Sequence, residues 1–208
     1  MFSNLITLRP VRGPLLGLIT AFGLLGASAT SASALSLVNT NPCNANPVSQ
    51  PFLQWGDSGT YELAPDGNFA SAPTGWTLSG GAGRVTGGSS FDTPALASSY
   101  SLALPAGASA QTPASCVDAA YPTFRFLTSS AAGGTMLVEV VYPTLLGEVA
   151  VPVQTLLVPS SWQPTPDALT VSLVTALLKG GTTQMSIRFV ALTGSIKIDD
   201  VYIDPRMV

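Results

Sequence analysis

Two runs in the middle of the chain decide the fold: residues 135–142 (TMLVEVVY) and residues 147–158 (GEVAVPVQTLLV). Both runs are rich in β-branched residues, which favour strands. Pro143 and Thr144 follow the first run and are typical of a turn. The two runs therefore predict a β-hairpin.

Further segments on both sides of the hairpin also have strand patterns. In residues 184–192, Met185, Ile187 and Phe189 alternate with polar side chains, and residues 196–203 form a last strand before Pro205. Residues 168–178 fit either a strand or a helical stripe, and we favour the strand. Other short strands are expected at residues 52–55, 60–63, 75–79, 100–104 and 123–128.

The spacing of these strands predicts the fold class. Residues 80–88 are so rich in glycine that they predict turns or a loop. About ten short strands separated by Gly and Pro turns, without a secure helix, are typical of an all-β protein with an antiparallel β-sandwich.

The N-terminal segment resembles an export signal. Arg9 and Arg12 precede an uncharged apolar stretch at residues 15–27, and Ala32-Ser33-Ala34 is a small-residue cleavage site. The apolar stretch is short for a membrane span, which needs about 20 residues, although an uncleaved anchor is the alternative. We therefore expect a signal peptide at 1–34, an extended lead-in at 35–51, a single β-sandwich at 52–208, and a mature protein that is secreted or held at the cell surface.

The charge balance excludes some partners. Cleavage after Ala34 lowers Lys plus Arg from 8 to 6 against 11 acidic residues, so the formal charge changes from -3 to -5. Nucleic acid and anionic lipid surfaces both attract basic proteins, and we expect neither as a partner. The mature part contains no apolar run long enough to span a membrane. The residues predict no particular oligomeric state.

The two cysteines predict a disulfide. Cys43 and Cys116 both lie in the exported part, where an even pair most simply forms one bridge. A loop of this length contributes about 4 kcal/mol in the chain-entropy model. A metal site is the weaker alternative, because the chain has no His.

Motifs near both ends of the core resemble a known family. Asp66-Gly67-Asn68-Phe69, followed by Gly75-Trp76-Thr77-Leu78, is similar to the opening of galactose-binding-like jelly rolls, which include many carbohydrate-binding modules. Residues 196–203 (IKIDDVYI) resemble their closing strand. The motifs from Cys43 to Pro205 are also similar to small exported actinobacterial proteins. These resemblances imply a jelly-roll shape more strongly than an activity.

The same resemblance implies a structural calcium ion. Such jelly rolls often hold calcium near the two chain ends, and by position Asp66, Asp199 and Asp200 are the candidate oxygen ligands. The acidic residue usual after the opening Phe is Ala70 here, which removes one ligand. The alternative for Asp199 and Asp200 is a solvent-facing pair at a strand end. Strict alternation would put Asp200 on the same face as Ile196 and Ile198, so either Asp200 lies at the sheet edge or a bulge shifts the register.

Aromatic residues in loops are the candidates for ligand binding. A sugar site needs aromatic rings and a few hydrogen-bonding groups. Trp162 lies between Ser160-Ser161 and a Pro-rich segment, and Phe91 and Tyr100 lie beside the glycine-rich loop. We expect Trp76 and Trp55 to serve the core.

The residues give little support for catalysis. The chain has no His, and no motif of paired acidic residues is evident, so we expect a protein that is not an enzyme. Two functions remain: binding of a polysaccharide or cell-envelope glycan, or a structural or adhesive role at the cell surface without a small-molecule ligand.

Overall fold

The computed structural model describes residues 47–91, 98–118, 123–144, 146–166, 169–170 and 182–204. The chain divides into two units, Met1–Ala34 and Leu35–Val208, and every described residue belongs to the second. The predicted signal peptide, Cys43 and most of the ambiguous segment at 168–178 lie outside the described residues.

The described chain consists of strands and one short 3₁₀ helix at Leu53–Trp55. The strands, in chain order, are β1 (Glu62–Leu63), β2 (Thr77–Ser79), β3 (Gly83–Thr86), β4 (Tyr100–Leu104), β5 (Ser109–Gln111), β6 (Ser115–Asp118), β7 (Thr123–Ser129), β8 (Gly134–Thr144), β9 (Gly147–Val158), β10 (Gln163–Pro164), β11 (Leu169–Thr170), β12 (Thr182–Thr193) and β13 (Ile196–Asp204).

The strands form two antiparallel sheets. The seven-stranded sheet has the order β10-β7-β13-β4-β3, with β1 also paired to β13 and β11 to β7. The six-stranded sheet has the order β2-β5-β12-β8-β9, with β6 also paired to β12. The predicted all-β, antiparallel sandwich is confirmed.

The main core contains side chains from both sheets. Met185, Ile187 and Phe189 of β12 are fully buried, as their alternation predicted. Trp76 is also a core residue: its ring packs against Phe69 and stacks on Phe189 with centroids 6.3 Å apart.

A second apolar cluster covers the other face of the seven-stranded sheet. Its buried members are Phe52, Tyr61, Leu127 and Tyr202, and Trp55, Leu63, Phe91 and Trp162 pack against them. Leu127 and Tyr202 alternate along β7 and β13 with main-core residues, so they point to the opposite face. We call this group the outer cluster.

The central hairpin forms, but its turn lies later than predicted. β8 pairs with β9 from Gly134↔Val158 to Thr144↔Gly147, so Pro143 and Thr144 belong to the strand. Pro143 is tolerated there because it lies at the exposed end of the hairpin.

Two local predictions were wrong. Residues 52–55 are not a strand, because the segment turns into the 3₁₀ helix and ends at Gly56 with φ +84°. The glycine-rich segment 80–88 contains strand β3, which pairs with β4. Glycine lacks strand propensity, and this short edge strand is held by its neighbour rather than by its own sequence.

Candidate functional site

Trp162 links the outer cluster to a surface pocket. It lies between β9 and β10, is half-buried, and packs against the outer cluster. It also lines a pocket of about 340 Å³, which we call the tryptophan pocket. The remaining lining residues are five serines, two alanines and one lysine: Ser129, Ser130, Ser160, Ser161, Ser195, Ala131, Ala132 and Lys197.

The topology of the seven-stranded sheet brings these residues together. Ser129 ends β7 and is the register partner of Lys197 on β13, the neighbouring strand. Ser160 and Ser161 follow β9, and Ser195 forms the turn before β13. The pocket is thus built from two neighbouring interior strands and three connections.

The hydroxyl groups in this pocket have two roles. Ser130 Oγ donates to the carbonyls of Gly133 and Ser195, each at 2.8 Å, and so fixes two loops. Ser160, Ser161 and Ser195 are exposed, and their hydroxyls make no hydrogen bond within the described part of the chain. These three hydroxyls are available to a ligand.

Tyr100 lies in a different pocket of about 550 Å³, the tyrosine pocket, which Ser89, Ser90, Ser98 and Ser99 also line, together with residues 86–88. One face of the Tyr100 ring is covered by Arg84, whose guanidinium carbon lies 3.3 Å from the ring centroid. The half-buried ring also packs against the main core, on the face of β4 that carries Leu102 and Leu104.

Phe91 lines neither of these pockets. Its ring packs edge-on against Trp55, with centroids 4.8 Å apart, as part of the outer cluster. The three predicted binding residues are therefore in three places: Trp162 and Tyr100 each line a pocket, and Phe91 serves packing.

Asp199 and Asp200 lie at a bulge in β13. The pairing with β7 shifts between Asp199 and Tyr202, and Asp200 has φ +49°, so the bulge alternative is confirmed. Both carboxylates are buried. Asp199 accepts from the Ser89 backbone N–H at 2.8 Å, and Asp200 accepts from Ser89 Oγ at 3.1 Å.

This surrounding environment changes the proton affinity of Asp199. Burial is the largest effect and repulsion from Asp200 the next, and together they raise the pKa of Asp199 to about 8. Two backbone hydrogen bonds oppose this rise but do not cancel it. Asp199 is therefore largely protonated at neutral pH. Both carboxylates thus bond to Ser89, which lines the tyrosine pocket.

The Asp66 carboxylate is hydrogen-bonded within a separate turn. It has φ +54°, and its carboxylate accepts from Ser71 Oγ and from the Thr74 backbone N–H, both at 3.0 Å. The described residues contain no group of three or more Asp, Glu, Cys or His that could hold a metal ion. Asp66 thus does not join Asp199 and Asp200 in the predicted calcium set.

Cys116 lies in β6. Its predicted partner Cys43 lies outside the described residues, so their pairing stays a prediction. The described residues also include no helix long and apolar enough to cross a membrane.

A cluster of polar side chains that the sequence did not suggest lies on the six-stranded sheet. Arg188 contacts Glu139 at 3.4 Å and Glu148 at 3.2 Å, and its Nε donates to Gln111 at 2.9 Å. The register Gln111↔Arg188↔Glu139 places them in one row across three strands. Alternation alone could have put them on one face, but not in this row.

Comparison with solved structures shows that the fold is similar to the β-sandwich jelly rolls of carbohydrate-binding modules. The chain is similar to the tandem CBM22-1–CBM22-2 domain of Paenibacillus barcinonensis Xyn10C, at 12% identity over 72% of this chain and 46% of that one, with a TM-score of 0.51. No family model and no curated protein sequence matches the chain.

Two further solved structures are also similar. The CBM22-1–GH10 modules of Clostridium thermocellum xylanase 10B, complexed with xylohexaose, match at 13% identity over 71% of this chain and 28% of that one, with a TM-score of 0.49. TmCBM61 in complex with β-1,4-galactotriose matches at 15% identity over 70% of this chain and 100% of that one, with a TM-score of 0.43. The chain thus spans less than half the length of these two multidomain xylanase chains.

Proposed function

We propose that this protein is an exported, non-catalytic carbohydrate-binding protein and that Trp162, with the serines around it, holds a polysaccharide or cell-envelope glycan. The observation that carries this proposal is the pairing of a half-buried tryptophan with three unengaged serine hydroxyls in one pocket. Export is proposed from residues 1–34.

The chemistry of the tryptophan pocket suits a sugar. An indole ring stacks on the apolar face of a pyranose, while hydroxyls orient the ligand through hydrogen bonds. No carboxylate is among the residues that line this pocket or the tyrosine pocket. The paired acids that glycoside hydrolysis requires are therefore not part of the proposed site.

Replacement of the indole tests the proposal. Trp162→Leu keeps an apolar contact with the outer cluster but removes the ring, and we expect at least a roughly tenfold loss of affinity, equal to about 1.4 kcal/mol. Titration of a glycan panel, followed by intrinsic tryptophan fluorescence and calorimetry, measures the change.

Trp55→Leu is the matched control, because Trp55 is also half-buried in the outer cluster but lines neither pocket. It should leave affinity unchanged. If no glycan binds the wild-type protein, or if Trp162→Leu binds as well as wild type, the proposal is wrong.

A structural or adhesive role is the second candidate, and the outer face of the six-stranded sheet favours it. Val190 and Leu137 are cross-strand partners on this face, and Leu157 is 85% exposed nearby on β9. Such a face suits contact with another protein. This role predicts no fluorescence change with any glycan, so the same titration separates the two candidates.

A further inference from the structure

The end of the β8–β9 hairpin reaches across the outer face of the six-stranded sheet. Glu148 belongs to this end, where it is the register partner of Pro143. Its carboxylate accepts from Arg188 Nη2 on β12 at 3.2 Å and from Gln111 Nε2 on β5 at 3.1 Å. Glu148 of β9 is thus bonded to two strands that are not its neighbours in the sheet.

A flat sheet could not make these contacts. A cross-strand row leads from Gln111 through Arg188 and Glu139 to Pro152 on β9. Glu148 lies four residues before Pro152 on the same strand. At roughly 4.8 Å between strands and roughly 3.3 Å per residue, a flat sheet would separate the Cα atoms of Gln111 and Glu148 by roughly 19 Å. Two side chains and one hydrogen bond cannot span this distance, so the hairpin end curves over the face.

The curved end passes over an apolar side chain. Val141 and Ser186 are register partners in the row between Arg188 and Glu148. Both are buried, and Val141 is only 1% exposed, whereas Leu157 on the same face of the sheet is largely exposed. The bonds of Glu148 to β5 and β12 therefore cross the sheet above Val141.

The carboxylate of Glu148 fastens the hairpin end to the sheet. Thr144 Oγ1 donates to the Gly147 carbonyl at 2.7 Å and so bonds within the turn, while Leu146 is fully exposed. Within the described chain, Glu148 supplies the side-chain hydrogen bonds that join this end to β5 and β12. Its side chain is 55% exposed, and an exposed ion pair is weak and is screened by salt.

We propose that the hairpin end is an electrostatic strap: Glu148 closes it over the outer face of the six-stranded sheet, and loss of these bonds opens it and exposes Val141. Ionic strength is the signal that suits this geometry, because the screening length falls from about 30 Å in about 0.01 M salt to about 3 Å in about 1 M salt. Opening adds Val141 to the apolar face that carries Leu137, Val190 and Leu157. The strap involves neither pocket, so this inference does not depend on glycan binding.

Thiol labelling measures the opening of the strap. Val141→Cys places a thiol beneath Glu148, and its reaction with a maleimide is followed by mass spectrometry, with the wild-type chain as the baseline. We expect labelling to be slow in low salt and at least roughly twofold faster in high salt, the change that loss of a weak ion pair produces. Glu148→Gln, added to Val141→Cys, should give the fast rate at both salt concentrations.

Two matched variants separate a local opening from a general loosening of the fold. Glu139→Gln also removes a carboxylate from Arg188, at 3.4 Å, but from the row beneath the strap, so labelling of Val141→Cys should stay slow in low salt. Val140→Cys places a thiol on the opposite, main-core face of the same strand and should stay unlabelled at both salt concentrations.

Each outcome decides for or against the strap. Equal labelling of Val141→Cys with and without Glu148→Gln would overturn it, and so would equal acceleration by Glu139→Gln. If Val140→Cys were labelled as fast as Val141→Cys, the whole core would be opening, which also contradicts the inference. Fast labelling that requires either high salt or Glu148→Gln supports it.

Discussion

Arg125 joins the outer cluster to the seven-stranded sheet. Its side chain is 4% exposed, and Nη1 contacts Asp57 Oδ2 at 2.6 Å while Nη2 donates to the Thr165 carbonyl at 2.7 Å. The guanidinium carbon also lies 4.7 Å from the centroid of the Phe52 ring. One buried cation thus holds the turn at Asp57 and the segment directly after β10 against β7.

Asp57→Asn is expected to destabilise the protein. The variant leaves Arg125 buried without its counter-charge. We expect the free energy of unfolding to fall by about 2 kcal/mol. This loss is smaller than for a fully buried ion pair, because the Asp57 side chain is 20% exposed. Urea unfolding followed by circular dichroism measures the change. A loss below about 0.5 kcal/mol would show that the ion pair contributes little.

The Asp57 carboxylate also determines how the stability of the protein depends on pH. Burial raises the pKa of Asp57, but hydrogen bonds from Arg125, Gly59 and Tyr61 outweigh burial, so its pKa lies below 3.8 in the folded protein. The stabilisation is therefore present above pH 3.8 and is lost as pH falls through the lower folded pKa. Wild type should lose this stability in acid, and Asp57→Asn should not.

Asp199 has the opposite pH dependence. Its folded pKa of about 8 exceeds the ordinary value of 3.8, so the folded state binds the proton more tightly between these values. Wild-type stability should fall as pH rises from about 5 to about 8, by up to about 1.4 kcal/mol per pH unit. Asp199→Asn, which imitates the neutral acid, should flatten this slope. Parallel profiles for the two proteins would contradict the assignment.

At the scale of elements, the bulge in β13 explains why two adjacent carboxylates are both buried. Regular alternation would place Asp199 and Asp200 on opposite faces, but the extra residue between Asp199 and Tyr202 changes the register. The φ of +49° at Asp200 is a conformation that Asp tolerates better than bulkier residues. Sequence alternation predicted a conflict here, and the bulge is its physical resolution.

The connection from β3 to β4 depends on Gly88. An added Cβ would be too close to the Ser98 carbonyl oxygen and 3.0 Å from Asp199 Oδ2, so the backbone would have to shift. Gly88→Ala should therefore cost about 1–3 kcal/mol, as other overpacked substitutions do. Thermal unfolding measures the loss.

Gly83 in β3 supplies the matched control for this substitution. A Cβ there meets nothing within 4 Å, so Gly83→Ala should be neutral or slightly stabilising. If the two alanine variants melted at the same temperature, the close approach at Gly88 would not be important for stability.

At the scale of the whole molecule, alternation predicted the long strands and composition predicted the turns. β12 was predictable because one of its faces is apolar at every second residue, and β13 because its residues alternate on both sides of the bulge. β5 and β6 were missed because Ser109–Gln111 and Ser115–Asp118 are short and contain small or polar residues. Such strands are held by their neighbours, and their own sequence gives little signal.

The candidate site was predictable only in part. The position of Trp162 in a loop beside two serines indicated its pocket, because loops lie at the surface. The gathering of four serine pairs was not predictable, since it depends on which strands are neighbours. The contact of Phe91 with Trp55 was not predictable, because the two residues lie far apart in sequence and meet only in the outer cluster.

The outer cluster limits where the chain can be shortened for recombinant work. Ser49 bridges to Tyr61, and Phe52 is wholly buried against Tyr202. A shortened chain that lacks Phe52 and the residues before it would expose Leu127 and Tyr202 to water, and exposed apolar surface favours aggregation. Trimmed expression variants should therefore begin before Cys43, which keeps both the predicted disulfide partner of Cys116 and the residues from Ser49 onward.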